Sequence, residues 1–311
     1  MTETKDQPAP EQANAARRCG YVAVVGAPNA GKSTLVNKLV GAKVAIVSPK
    51  VQTTRSRTLG LAIAGPSQIV FVDTPGIFTP RRRLERSMVK AAWAGAHDAD
   101  VVVLLVDVER GVDRDTRQII DGLKAAGRRA VLALNKIDLV KRDSLLALAE
   151  TLAEEGIFDP VFMISGRSGS GVADLMNHLA GAIPEGPWLY PEDEISDMPE
   201  RLLASEVTRE QVFLQLHDEL PYASTVETEA WEEFKDGSVK ISATIYVQRD
   251  SQKAIVLGEG GKQIKRIGAR ARAELEKLMD RRVHLFLFVK VRENWTEDRE
   301  RYDAMRLDFE A

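Results

Sequence analysis

The clearest chemistry in the sequence lies in a glycine-rich loop. Residues 26–33 read Gly-Ala-Pro-Asn-Ala-Gly-Lys-Ser, which matches the phosphate-binding pattern G-x-x-x-x-G-K-[ST]. An apolar run at residues 21–25 precedes the loop and a helical pattern at residues 32–40 follows it. In such a loop backbone N–H groups cradle phosphates, the lysine reaches the β and γ oxygens, and the serine hydroxyl binds Mg²⁺. The nucleotide-binding residues predicted here are Gly26, Ala27, Pro28, Asn29, Ala30, Gly31, Lys32, Ser33 and Thr34.

A second motif supplies an acidic residue at the end of another apolar strand. The strand covers residues 68–72, and Asp-Thr-Pro-Gly follows at residues 73–76. A carboxylate there would hold a magnesium-bound water, and the N–H of Gly76 would contact the γ-phosphate, which makes this loop a switch. Thr54 is the predicted magnesium ligand of the other switch segment, with Thr53 as the alternative. We assign Asp73, Thr74, Pro75, Gly76 and Ile77 to the nucleotide site, and Ser33, Thr54 and, through water, Asp73 to the metal.

A third motif selects the base. Asn-Lys-Ile-Asp stands at residues 135–138, directly after the apolar strand 130–134. The carboxylate of Asp138 can accept hydrogen bonds from N1–H and N2–H₂ of guanine, whereas adenine lacks this donor pair. The sequence therefore favours GTP and GDP over adenine nucleotides. The other residues of this part of the site are Asn135, which would tie the loop to the phosphate loop, Lys136, whose stem would lie along the base, Ile137, and Ser165 and Gly166, whose backbone would face guanine O6.

Length and composition indicate two folded domains. With 311 residues, 44% hydrophobic and 29% charged, the chain exceeds the usual size of one domain. No apolar run reaches about 18 residues, and residues 1–17 are polar, so we expect neither a transmembrane helix nor a secretory signal. The single Cys19 excludes an intramolecular disulfide, and the four His residues lie far apart without Cys partners, which does not predict zinc. We expect a cytoplasmic monomer.

Strand and helix patterns alternate up to about residue 182. Strands are predicted near Tyr21, Leu59, Gln68, Val101, Ala130 and Pro160, and helices near Lys32, Leu84, Arg114, Ser144 and Val172. This alternation is typical of a doubly wound sheet. Because the strands on either side of Gly65 are separated only by a turn, we expect them to be antiparallel at one edge. The first domain is therefore predicted to be an α/β P-loop GTPase domain with a mixed sheet.

The pattern changes after a segment rich in proline and acid at residues 185–201, which predicts a linker. Beyond it we predict a helix at residues 203–220, strands at 225–235 and 238–247, a short helix near Ser251, a long helix at 262–279 and a strand at 283–291. The order α-β-β-α-α-β, with Gly-Glu-Gly-Gly at residues 258–261 between the last two helices, is that of a type II KH module, an α+β fold that binds RNA.

Charge also points to a polyanion-binding face in the second domain. Residues 185–236 contain fifteen Asp or Glu against three Lys or Arg, whereas residues 251–295 contain eleven Lys or Arg against five Asp or Glu. Glycines at positions 258 and 261 would let a sugar-phosphate backbone approach, and the helix that follows would attract phosphates. On charge alone a solvated helix surface is the alternative. The predicted RNA-binding residues are Lys253, Gly258, Glu259, Gly260, Gly261, Lys262, Lys265, Arg266 and Lys290.

Together with the nucleotide motifs, five further segments resemble the Era family of bacterial GTPases with a C-terminal KH domain, within the TrmE-Era-EngA-like superfamily. They are Gln-Thr-Thr-Arg at residues 52–55, Glu-Leu-Pro-Tyr at 219–222, Ser-Gln-Lys at 251–253, Ile-Lys-Arg-Ile-Gly at 264–268, and Val-Lys-Val at 289–291 ahead of Trp295. The resemblance covers roughly residues 20–295. It implies binding near the 3′ end of small-subunit (16S) ribosomal RNA, a role in 30S maturation, and loose, peripheral association with the inner membrane.

Several positions depart from the expected patterns. Gly166 stands where the family usually has Ala, and Glu259 places an acid in the loop that would meet phosphate. Ile77 follows Gly76, so the Gln that orients water in Ras-like enzymes is absent, and no general base is assigned. Asn29 resembles the residue that coordinates potassium in related GTPases, and the alternative is that it only stabilises the turn. A run of arginines at residues 81–83 would contact RNA or protein, or form a solvated surface.

Two functions of different classes remain open. In the first, the KH domain binds ribosomal RNA, GTP sets the conformation that permits binding, and hydrolysis allows release, which makes the protein an assembly checkpoint. In the second, the protein is a signalling GTPase that acts on a protein or membrane partner, with RNA as a tether. An ATP-using enzyme is disfavoured by Asp138. The predicted organisation is a disordered N-terminal tail at residues 1–18, a GTPase domain at 19–184, an acidic linker at 185–201, a KH domain at 202–296 and a C-terminal tail at 297–311.

Overall fold

The computed structural model describes residues 16–311, so most of the predicted N-terminal tail lies outside the described residues. The first part of the chain forms β1 Arg18–Val25, α1 Lys32–Val40, β2 Thr58–Ala64, β3 Ser67–Asp73, α2 Arg83–Asp98, β4 Val101–Asp107, α3 Arg114–Ala125, β5 Ala130–Asn135, α4 Arg142–Ala153, β6 Phe158–Ile164 and α5 Val172–Ala182. Strands and helices alternate as the sequence predicted.

These strands form one sheet in the order β2-β3-β1-β4-β5-β6. The pair β2/β3 is antiparallel at one edge and the other neighbours are parallel, which confirms the predicted mixed, doubly wound fold. The central strands are apolar at nearly every position because helices cover both faces of the sheet. The carboxyl ends of β1, β3, β4 and β5 therefore meet at one edge, where ligands bind in such sheets.

The second part forms α6 Glu200–Gln215, β7 Thr225–Glu233, β8 Val239–Val247, α7 Asp250–Leu257, α8 Lys262–Met279, β9 Val283–Val291 and α9 Arg299–Ala304. Its sheet has the order β7-β8-β9, with β7/β8 antiparallel and β8/β9 parallel. Up to β9, the predicted KH order is confirmed. The predicted end of the first helix is wrong: α6 ends at Gln215, where Lys50 of the first domain donates hydrogen bonds to the carbonyl oxygens of Phe213 and Leu216.

The acidic segment between the domains runs along the edge strand β2. Ile195 accepts a hydrogen bond from the N–H of Leu61 at 2.9 Å, and Ser196 donates to the carbonyl oxygen of Leu59 at 2.9 Å. Gln68 also donates to the carbonyl oxygen of Tyr190 at 2.8 Å. The segment thus covers the backbone of a strand that would otherwise be open to pairing.

The end of the chain, predicted only as a tail, packs against α2. Trp295, Tyr302 and Leu307 are buried together with Leu84 and Met88 of that helix. Apolar spacing in residues 295–309 explains the packing, because these side chains remove each other from water. Over residues 16–311, none of the helices has the length and apolar character needed to cross a membrane.

Candidate functional site

The phosphate-binding loop joins β1 to α1 and places Lys32 and Ser33 at the start of the helix. Gly31 has φ of 99°, and a Cβ atom there would lie 2.4 Å from Nδ2 of Asn135. Only glycine fits this position without displacing the amide. The Lys32 side chain is buried, and its ammonium donates to two carbonyl oxygens of the loop at 3.1 and 3.0 Å. The loop therefore wraps around the lysine.

Three oxygen-bearing side chains meet beside this loop. Ser33 Oγ donates to Asp73 Oδ2 at 2.7 Å and lies 2.8 Å from Thr54 Oγ1, which is 3.5 Å from the same carboxylate oxygen. The other oxygen, Asp73 Oδ1, is buried and has no hydrogen-bond partner within residues 16–311. Buried carboxylate oxygens normally have partners, and Mg²⁺ prefers oxygen ligands. The residues present therefore fit a magnesium ion.

Two charged side chains beside the phosphate-binding loop, Lys32 and Asp73, have shifted pKa values. Burial raises the pKa of Asp73 to about 6, opposed by the hydrogen bond from Ser33 and the charge of Lys32. Burial lowers the pKa of Lys32 to about 8, opposed by the charge of Asp73. Both shifts arise because little water solvates the charged forms. A phosphate beside Lys32 would stabilise its ammonium form, and a magnesium ion beside Asp73 would stabilise its carboxylate form. Binding of a magnesium–phosphate ligand needs both of these charged forms.

The base-reading side of the pocket is built at the ends of β5 and β6. Asn135 Nδ2 donates to the carbonyl oxygen of Ala30 at 2.7 Å, and its Oδ1 accepts the N–H of Gly166 at 2.9 Å. The side-chain amide of Asn135 thus joins the phosphate-binding loop to the loop that begins at residues 165–166. Asp138 is exposed, and a hydrogen bond from Ser165 lowers its pKa, so the carboxylate stays ionised. An accessible carboxylate can accept two donors from guanine.

The other predicted residues of these motifs lie in different surroundings. Residues 41–57, between α1 and β2, contain Thr54 and are called the first switch segment below. Asn29 is exposed, has φ of 64°, and donates through Nδ2 to the carbonyl oxygen of Pro49 in this segment at 2.9 Å. Thr74 is buried and donates to the carbonyl oxygen of Val24 at 2.8 Å. Ile77 is fully buried in the core. Pro28, Thr34, Thr53 and Gly76 line the pocket, Ala30 and Ile137 pack into the core layers, and Pro75 is buried.

Two residues of the site were not predicted from the sequence. Asp107 ends β4 and forms an ion pair of 2.6 Å with Lys136, which holds the lysine beside the base loop. Arg110 donates to the carbonyl oxygen of Pro28 at 3.0 Å. A signal for Asp107 was present in the sequence, because it ends an apolar parallel strand, as Asp73 does. The sequence held no comparable signal for Arg110.

The glycine-rich loop of the KH domain joins α7 to α8. Gly258 has φ of 69°, and a Cβ atom there would lie 2.7 Å from Cβ of Gln263, so glycine is required. Lys262 and Lys265 are exposed at the start of α8. The Glu259 side chain is 94% exposed and lies 4.0 Å from Lys262, so its charge is partly balanced. Gly260 and Gly261, both with positive φ, complete the loop.

The remaining predicted RNA-binding residues do not all belong to this loop. Arg266 donates to Gln215 Oε1 at 3.0 Å, at the end of α6, and Lys253 is half-buried on α7. Lys290 lies elsewhere: it forms an ion pair of 2.8 Å with Glu229. Leu287 of the same strand packs towards α8, so Lys290, three residues later, points to the opposite face of the sheet. The structure thus places Lys290 on the sheet face away from the glycine-rich loop, and its contact with RNA stays a prediction.

Family models match both parts of the chain. A model described as "50S ribosome-binding GTPase" matches residues 21–136, and a model described as "KH domain" matches residues 219–296. The GTPase Era of Rhizobium meliloti (strain 1021) is 60% identical over 292 residues, which cover 94% of this chain and 93% of that protein. The GTPase Era of Caulobacter vibrioides (strain NA1000 / CB15N) is 56% identical over 308 residues, covering 94% of this chain and 98% of that protein.

Solved structures agree with these relationships. A crystal structure of Era in complex with MgGDPNP and nucleotides 1506–1542 of 16S ribosomal RNA has a TM-score of 0.88 and 36% identity, and the match covers 93% of this chain and 98% of that one. A variant of Aquifex aeolicus Era bound to GDP and AlF4⁻ gives the same TM-score, identity and coverage. The match extends through both domains. On these grounds the chain belongs to the Era family of GTPases, in which a P-loop GTPase domain precedes a KH domain.

Proposed function

We propose that this GTPase binds the 3′ region of small-subunit (16S) ribosomal RNA through its KH domain and acts, as a cytoplasmic monomer, as a checkpoint in 30S subunit assembly. GTP sets the conformation that permits RNA binding, and hydrolysis allows release. The glycine-rich loop with Lys262 and Lys265 supports the RNA part. The family member solved with MgGDPNP and nucleotides 1506–1542 of 16S RNA supports the choice of RNA.

The observation that carries the checkpoint is the attachment of the first switch segment to the KH domain. Arg55 follows the predicted magnesium ligand Thr54, is 3% exposed, and donates to the carbonyl oxygens of Ser224 and Pro221 at 2.8 and 3.2 Å. Lys50 of the same segment donates to the last carbonyl oxygens of α6. A ligand that moves Thr54 must therefore move or break these contacts.

A second group of contacts links the same segment to the RNA-binding helix. Glu210 on α6 accepts the N–H of Val47 at 2.8 Å and the ammonium of Lys43 at 2.6 Å. Lys43 also forms an ion pair of 2.9 Å with Glu274 on α8. Because α8 begins at the glycine-rich loop, a change in the switch segment would be transmitted to the RNA site, and RNA would in turn bias the switch.

For the nucleotide we propose roles that follow the geometry. Backbone N–H groups of the phosphate loop and Lys32 hold the phosphates, and Asp138 accepts the donors of guanine. Ser33 and Thr54 ligate magnesium, and Asp73 binds it through water. When bound, Mg²⁺ neutralises charge on the β and γ oxygens.

We also propose that potassium takes part in hydrolysis. Ile77 is buried, so the residue after Gly76 offers no group to orient water. Asn29 is exposed in the phosphate loop beside the first switch segment. Its amide oxygen is a suitable potassium ligand, and a monovalent cation there would offset charge that develops between the β and γ phosphates.

The alternative is a signalling GTPase whose output is a protein or membrane partner, with peripheral binding to the inner membrane and RNA as a tether. Crosslinking the full chain to RNA in cells, followed by sequencing, separates the two. We expect a sharp peak at the 3′ end of small-subunit RNA, which a K262E/K265E variant loses. A diffuse map for the unmodified protein would overturn the checkpoint and favour the tether.

A further inference from the structure

A second candidate RNA-contact site lies between the two domains. It is a cleft of about 810 Å³, separate from the nucleotide pocket. One wall consists of Val51 and Gln52 of the first switch segment and the start of α2. The other wall consists of the start of α7, the loop after α6 and the residues just after β9. A ligand in this cleft would touch the KH domain and a nucleotide-responsive segment at once.

Three guanidinium groups are available in the cleft. Arg81 and Arg82 precede α2, and Arg249 precedes α7. All three are exposed, and none has an ion-pair partner among residues 16–311. Arginine presents a planar fork of donors that matches two oxygens of a phosphate or a carboxylate, so unpaired arginines in a cleft favour an anion of one of these two kinds.

Most carboxylates that line the cleft already have a hydrogen-bond or ion-pair partner. Glu85 accepts the backbone N–H groups of the residues before α2 at 2.7 and 3.2 Å and an N–H of Gln52 at 3.2 Å. Glu297 forms an ion pair of 3.3 Å with Arg83. Glu219 is the one lining carboxylate left without a side-chain partner among residues 16–311. The formal balance is four arginines against three glutamates, but the unengaged groups are three guanidiniums and one carboxylate.

Helix α7 connects this cleft to the RNA loop. Arg249 stands at its start and Gly258 at its end, and its eight residues span about 12 Å. Lys253 lies on the same helix between the two ends. An RNA strand held at the glycine-rich loop can therefore continue along α7 into the cleft after a few nucleotides. An isolated acidic peptide would match the charge but has no such continuation.

We propose that the cleft binds backbone phosphates of the RNA strand that leaves the KH loop, so that RNA contacts the first switch segment and the start of α2 directly. This inference rests on the proposed RNA-binding function. Phosphate contacts position the strand without reading its sequence. The cleft would thus lengthen the RNA footprint and add to affinity, while sequence choice stays with the KH groove.

The test uses the full chain and RNA of nucleotides 1506–1542, both whole and shortened in steps from either end, titrated by fluorescence anisotropy. For whole RNA, the R81E/R82E/R249E variant is expected to bind about tenfold more weakly than the unmodified protein, and its log–log salt slope is expected to fall by about 1.4, the value for two single-strand phosphates. Shortening the RNA from one end is expected to lower the RNA affinity of the unmodified protein by the same factor and to leave the RNA affinity of the variant unchanged.

Two controls separate the possible failures. The R114E/R129E/R142E variant changes the same number of charges on exposed arginines of the GTPase domain away from the cleft, and should bind whole RNA within about twofold of the unmodified protein. The K262E/K265E variant should bind none of these RNAs.

If the cleft variant binds all RNAs like the unmodified protein, the cleft proposal is wrong while the KH function stands. If the cleft variant binds an acidic peptide library less but RNA equally, the cleft belongs to a protein partner. If the unmodified protein binds none of the RNAs, both the proposed RNA-binding function and the cleft proposal are wrong.

Discussion

Arg209 of the KH domain donates a hydrogen bond of 2.7 Å to the carbonyl oxygen of Thr53, the residue before the proposed magnesium ligand Thr54. The guanidinium is 2% exposed, lies 5.4 Å from the ring centre of Phe213 and pairs with Glu206. Two residues of α6 itself, Glu206 and Phe213, thus help to hold the guanidinium in place for its contact with Thr53. The KH domain thus holds the backbone next to the proposed magnesium ligand.

Replacing Arg209 should therefore weaken the coupling between the nucleotide site and the RNA-binding site of the KH domain. In Arg209→Met the ratio of RNA affinities measured with GDPNP and with GDP should fall by about fivefold or more, because the contact at Thr53 is lost. GDP affinity itself should stay within about twofold. RNA titrations of the full chain at saturating GDPNP or GDP measure the ratio.

Two further variants show whether the effect is specific. Arg201→Met removes an arginine from the same helix that contacts only the KH domain, at the carbonyl oxygens of Thr228 and Glu229, and should keep the ratio. Since Arg209→Met leaves Glu206 without its partner, E206Q/R209M tests whether an unpaired carboxylate causes the change. An unchanged ratio in a folded R209M protein would contradict the coupling.

Base choice should follow Asp138. In Asp138→Asn the side-chain amide can donate to the oxygen that replaces the N2 amine in xanthine, so xanthine nucleotides should be preferred and GDP should bind at least about tenfold more weakly. Competition of GDP and XDP for a fluorescent nucleotide measures this. Asp143→Asn, an exposed substitution at the start of α4, is the matched control and should change neither affinity. Retained guanine preference in D138N would remove Asp138 as the base reader.

Two carboxylates in the KH loop should separate RNA binding from hydrolysis. In G258D/G261D, RNA affinity should fall about tenfold or more, because like charge meets phosphate, while basal GTP hydrolysis stays within about twofold. Gly237→Asp places an acid at a glycine with φ of 81° in the β7–β8 turn and is the control for backbone strain. The K262E/K265E variant adds negative charge beside the loop without replacing its glycines, so it shows whether lost RNA binding comes from charge and not from a misfolded loop. RNA binding unaffected in both loop variants would place the polyanion face elsewhere.

Potassium should accelerate hydrolysis through Asn29. Replacing sodium with potassium at constant ionic strength and saturating magnesium should raise GTP turnover several-fold, and Asn29→Ala should remove most of this difference with GDP affinity nearly intact. Phosphate release under both salts is the measurement. Equal rates in the two salts would return Asn29 to a structural role at its turn.

The C-terminal segment should contribute to stability through Tyr302. This side chain is fully buried against α2, so Tyr302→Ala should cost about 3–5 kcal/mol in the unfolding transition that includes α2. Thermal unfolding followed by circular dichroism measures the loss. Leu189→Ala, at a side chain that is 56% exposed, should shift the midpoint little. If both variants melt like the unmodified protein, the packing of this segment is not part of the cooperative fold.

Local spacing in the sequence determined the elements and the motifs. The strand–loop–helix around Lys32, the acids and amides at strand ends, and the glycine-rich loop before α8 each depend on residues within about ten positions, where periodicity and turn chemistry act directly. The order of these elements was enough to predict a doubly wound GTPase domain followed by a KH domain. The placement of Asp73, Asn135 and Asp138 near one edge follows from parallel strands alone.

Tertiary structure decided what depends on residues far apart in the chain. Helix α6 ends at Gln215, before the proline that the sequence suggested, and Lys50 of the other domain donates to the carbonyl oxygens at this end. Lys290 lies on the face of the sheet away from the RNA loop because strand alternation, fixed by packing on α8, sets its direction. Arg209 reaches Thr53 across 156 positions. Such contacts form only when apolar burial brings the domains together, and no local pattern in the sequence encodes them.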